Sequence, residues 1–99
     1  MKTSEHLRNI ADELGSVIID NRPPGPAPDV IIEFEHIAGR LNVPNAKLLL
    51  YRLRRDAKSY YGTNAPQAET NEADALYVDL LGSIERLRQE ASAWERIGD

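Results

Sequence analysis

The sequence predicts an all-α fold of four helices, and three observations carry that prediction. Apolar residues recur at three- and four-residue steps, the period of a helix with one buried face. Clusters rich in Pro, Gly and Asn separate the periodic stretches and act as helix stops. A C-terminal run keeps an unbroken heptad seam over three heptads.

The first helix is expected over residues 4–19. Leu7, Ile10, Ala11, Leu14, Val17 and Ile18 share one face, with Asn9, Asp12 and Ser16 opposite. The segment DNRPPGPAPD ends it. Four prolines within six residues remove amide donors and favour extended backbone, so residues 20–28 form a stiff connector. Pro23 and Pro26 make a PxxP pattern. It reads as an interhelix linker, because no basic residue stands where an SH3 ligand would place one. Asp29 is placed to cap a second helix over residues 30–41, whose inner face is Ile31, Phe34, Ala38 and Leu41. Asn42-Val43-Pro44 is a tight break. Asn45 then caps a third helix that reaches Tyr61, where Gly62 supplies the stop. The chain thus reads as one domain: a three-helix part over residues 1–62, a polar, flexible linker over 63–70, and a long amphipathic helix over 71–97.

In that last helix Ala73, Tyr77, Leu80, Ile84, Leu87, Ala91 and Trp94 are spaced by 4, 3, 4, 3, 4 and 3 residues. Such a seam in so short a chain predicts a homodimer. Its interface would be Tyr77, Leu80, Leu81, Ile84, Leu87, Ala91 and Trp94. A parallel pair would set Glu90 against Glu95 of the other copy, so antiparallel packing or a bundle is favoured. The competing expectation is that the seam packs on helices one to three.

The absence of cysteine excludes disulfides and thiolate metal sites and fits a cytoplasmic setting. The first residues, MKTSEHLRNIADEL, hold no apolar core of a signal peptide. No apolar run approaches the ~20 residues that span a bilayer, so no membrane partner is expected. Net charge is −4, yet residues 40–58 hold six basic residues and one acidic one. Those nineteen residues carry +5 and the other eighty −9, so the basic charge is confined to one stretch. A concentrated positive face usually meets something anionic.

On a helical wheel the third helix separates cleanly. Ala46, Leu49, Leu50, Leu53, Ala57 and Tyr60 fall on a core side. Lys47, Tyr51, Arg54, Arg55 and Lys58 occupy an arc of about 100° on the other. Four cations around one tyrosine can bind phosphate through charge-assisted hydrogen bonds, with Tyr51 donating or stacking. The bland alternative is a solvated face neutralised by the chain's own carboxylates. Residues 37–55 add a pattern in which Ile37-Ala38 is followed by Leu41, Asn42, Val43 and a short polar run into the third helix. This resembles the helix-turn-helix DNA-binding family. It departs from that family at Asn42, where glycine is usual, and in its next apolar pair, which falls one residue late at Leu49 and Leu53. The resemblance implies that Pro44, Asn45, Lys47 and Leu48 begin a recognition helix. It also implies that Arg52, Arg54 and Arg55 reach the phosphate backbone or the groove.

No catalytic group is expected. The serines have no neighbouring His and acid, and there is no glycine-rich phosphate loop. Glu33 and His36 make an E-x-x-H on a helix, but on the side away from the apolar stripe, so no metal site is expected. His6 is expected to be inert at a frayed terminus, and no cofactor is expected. The chain therefore reads as a non-enzymatic binding protein. Its basic face, Lys47, Tyr51, Arg52, Arg54, Arg55 and Lys58, would contact an anionic partner, foremost DNA in a regulatory or mobile-element role. Two other classes remain open. One is a protein-interaction adaptor or inhibitor acting through the acidic surface or the C-terminal helix. The other is an oligomer that binds a nucleotide or similar phosphate ligand.

Overall fold

The computed structural model describes residues 2–98. These form α1 (Thr3–Asp20), α2 (Pro28–Gly39), α3 (Lys47–Tyr60) and α4 (Asn71–Arg96), with a 3-10 turn at Pro44–Ala46 leading into α3. No strand occurs among the described residues. The fold is all-α with four helices.

The helix starts follow proline and threonine chemistry more than the expected acid and amide caps. Pro28 opens α2, where its missing N–H costs no hydrogen bond. Asp29 is therefore not the cap but a first-turn carboxylate at the positive end of the helix. Asn45 is not a cap either. It lies inside the 3-10 turn that Pro44 starts, and the Ala46 amide donates to the Val43 carbonyl at 3.0 Å. At α4 the Thr70 hydroxyl accepts from the Ala73 amide at 3.2 Å, with Glu72 and Asp74 in the first turn. Gly62 follows α3 because a Cβ there would lie 2.3 Å from the Lys58 carbonyl oxygen. The connection over residues 63–70 is built from turns, with Glu69 in the left-handed region at φ 66°.

The core joins all four helices. Leu7, Ile10, Ala11, Leu14, Val17 and Ile18 of α1 are buried, as are Phe34, Ile37 and Ala38 of α2 and Leu50, Leu53, Ala57 and Tyr60 of α3. Ile31 and Leu49, expected inside, are only partly covered. α4 packs along α1 and α3, and α2 packs on both of those as well. Three contacts fix α4 antiparallel to α1: Arg8 with Glu95, Arg88 with Asp12 at 3.0 Å, and Ile84 over Gly15. The hydrogen bond it donates to Asp12, helped by Glu85, holds the Arg88 guanidinium more firmly protonated than usual.

This packing corrects the expected interface between copies. Leu80, Ile84, Leu87 and Ala91 are buried within their own chain, in the same core as α1 and α3. Tyr77, Leu81 and Trp94 are half-buried against that core. The seam is already filled, so the surface on which the homodimer was expected is not free. The Trp94 indole N–H is buried without an acceptor among the described residues.

Two tyrosines at the end of α3 hold the proline-rich connector. The Tyr60 hydroxyl donates to the Arg22 carbonyl, and the Tyr61 hydroxyl to the Asn21 carbonyl at 2.7 Å. Their own carbonyls accept from Gly25 at 3.1 Å and Ala27 at 2.9 Å, amides that the neighbouring prolines lack. The Arg22 guanidinium lies 4.8 Å from the Tyr77 ring centre. Burial raises the ionisation range of both phenols, most strongly Tyr61, with Tyr60 and Tyr77 adding to it.

Leu87→Ala should lower stability by about 2–5 kcal/mol. Because the seam is satisfied inside one chain, the loss in thermal melts should be the same at all protein concentrations. The tyrosines set an alkaline limit. Their folded pKa values lie above the unfolded value, so their contribution is complete below about pH 10 and fades as pH rises beyond it. Melting temperature should fall from about pH 10 upward. Tyr61→Phe should flatten that fall while costing about 1 kcal/mol at neutral pH through the lost hydrogen bond.

Candidate anion-binding face

α3 forms because its apolar residues recur on one side, and that same periodicity pushes its cations outward. Lys47, Arg55 and Lys58 are exposed, Tyr51 is 63% exposed, and Arg52 and Arg54 are half-buried. Fourteen residues give this face a length of ~21 Å. Leu48, 62% exposed, lies on the same side.

Internal neutralisation reaches only part of the face. Lys58 pairs with Glu35 of α2 at 3.2 Å. Arg55 pairs with Asp56 at 3.3 Å. That second pair is unequal, since the Arg55 side chain is 59% exposed and the Asp56 side chain only 8%. Arg55 thus supports a buried carboxylate as well as contributing to the surface. Arg54 runs back towards α2, its guanidinium 3.8 Å from where a side chain on Gly39 would begin. Among the described residues Lys47, Arg52 and Arg54 make no ion pair. Elsewhere Arg8, Arg40 and Arg88 pair with carboxylates and Arg22 sits against Tyr77, while Lys2, Arg86 and Arg96 make no ion pair among the described residues.

No family model matches this chain, and no curated protein or solved structure matches it either. Its function must therefore be argued from its own residues.

The segments that carry the helix-turn-helix resemblance fold as α2, a four-residue break over residues 40–43, the 3-10 turn and α3. Pro44, Asn45, Lys47 and Leu48 are all exposed at the start of α3. Asp12, Glu13, Asp20 and Glu33 line a groove between α1 and α2. Glu33 and His36 border a second shallow groove with Asp29 and Arg40. Among the described residues no three His, Cys, Asp or Glu side chains gather as metal ligands. No helix among them is long and apolar enough to cross a membrane. His6 is engaged after all, since its Nε2 donates to the Arg40 carbonyl at 3.1 Å.

Two residues beside the face were not expected to matter. Asp56, the one acidic residue of the basic run, is buried. Arg86 of α4 stands across from Arg52 and Arg55 in the α3–α4 groove. Arg86 lies two residues after the seam position Ile84, which is the only sequence signal that could have placed it near α3.

The two kinds of cation should separate by stability. Lys47→Ala should change stability by less than about 0.5 kcal/mol. Arg55→Ala strips the partner from a buried carboxylate and should cost about 1–3 kcal/mol. In a double-mutant cycle with Asp56→Ala the two losses should not add. Chemical denaturation of the four chains measures both effects.

Proposed function

We propose that this protein binds duplex DNA through the outward face of α3, without catalysing a reaction. The observation that carries this reading is the concentration of open cations on one helix. Lys47, Arg52 and Arg54, within eight residues of α3, make no ion pair among the described residues, whereas the others without one, Lys2, Arg22, Arg86 and Arg96, are spread along the chain. A chain of net charge −4 that concentrates open cations on one helix is suited to local contact with a polyanion. Phosphate contacts from these residues and Lys58 supply affinity. An α-helix fits the major groove, and the exposed Asn45, Lys47 and Leu48 at the start of α3 are the residues placed to meet base edges. Tyr51 donates its hydroxyl to phosphate or packs on the sugar backbone.

Fluorescence anisotropy with a labelled ~30-bp duplex at low and moderate salt tests this, with Lys47→Glu/Arg54→Glu beside the wild type. Arg55 is left in place because it supports Asp56. The expected result is binding that weakens steeply with salt and is lost in the variant. No binding at low salt overturns the proposal and points instead to a protein partner.

A further inference from the structure

The groove between α3 and α4 has chemistry that the face of α3 alone lacks. Its volume is about 600 Å³, and Arg52, Arg55, Asp56, Asp79, Ser83 and Arg86 line it. Arg55 is engaged by Asp56, so of the three guanidiniums lining this groove Arg52 and Arg86 make no ion pair among the described residues. They come from different helices, about thirty residues apart in sequence, and converge on one opening. The α4 wall is low there, because a side chain on Gly82 would meet nothing within 4 Å. Ser83 brings a hydroxyl to the same wall. Two guanidiniums and a hydroxyl around an open groove match the oxygens of a phosphate.

We propose that this groove is a phosphate-binding site, and that Arg86 contacts the DNA backbone beside the stretch addressed by α3. This rests on the proposed DNA binding and adds α4 as a second point of attachment. Contacts from two helices fix how the duplex lies across the protein, which a single helix face leaves free to pivot. Asp79 opposes the anion. Its carboxylate lines the same groove, so it lowers affinity, and its removal raises it.

The test is duplex binding across a salt series for wild type, Arg86→Gln, Asp79→Asn and Lys47→Glu/Arg54→Glu. Arg86 and Asp79 are exposed and make no ion pair among the described residues, so both single variants should melt like the wild type. Arg86→Gln is expected to weaken binding roughly three- to tenfold at low salt, equally for different duplex sequences, and to reduce the slope of log affinity against log salt by about one. Asp79→Asn is expected to tighten binding. If both variants bind like wild type while the α3 variant loses binding, the groove is not a phosphate site and the proposed function stands. If wild type does not bind duplex at low salt, both proposals fall.

Discussion

Burial of the α4 seam inside its own chain is the constraint on which the other placements depend. Leu80, Ile84, Leu87 and Ala91 need apolar cover, and α1 and α3 together provide it. Once α4 lies there, its polar flanks are committed. One flank meets α1 through Arg88 with Asp12 and Arg8 with Glu95. The other borders α3 and sets Ser83 and Arg86 opposite Arg52 and Arg55. The core side of α3 is occupied by the same packing, so its cations are left outward. Surface pairs of this kind add little stability, at most ~1 kcal/mol each. Their effect is on register, because a slide of α4 along α1 would break both together.

The connector between α1 and α2 solves a second problem. A proline-rich segment has few amides to anchor it and no ladder to join. Tyr60 and Tyr61 give it two hydroxyl donors and two carbonyl acceptors from adjacent positions of one helix end. The rings meet edge to face with centres 4.9 Å apart, so the anchor is packed as well as bonded. Through this anchor the end of α3 sets the start of α2. The outward arc of α3 is thereby fixed relative to α2, from which Glu35 reaches Lys58.

The helices were legible in the sequence because their periodicity is a local property. Phe34, Leu53 and Leu80 could be placed inside from spacing alone. The owner of the α4 seam could not. A run spaced 4-3-4-3 looks the same whether its cover is a second copy or the same chain, since the spacing reflects only the geometry of its own helix. The caps at Asp29 and Asn45 were misjudged because a neighbouring proline, with its fixed φ, starts the helix without a side-chain oxygen. The basic arc of α3 was visible on the wheel. Which of its members were already paired was not, because Glu35 lies on another helix and Asp56 looks like surface until the core closes behind it. Arg86 was invisible for the same reason, since its neighbourhood exists only after α4 has docked.

The separation of charge has a consequence at distances beyond contact. Open cations are concentrated on α3, while the rest of the chain carries the excess of carboxylates. The local field at α3 therefore differs in sign from the net charge of −4. A polyanion would sense these two signs at different distances. At long range the net charge would repel it and slow the approach. Within about a Debye length, ~8 Å at physiological salt, the open cations of α3 would dominate what it meets there, so salt would alter approach and contact in opposite directions.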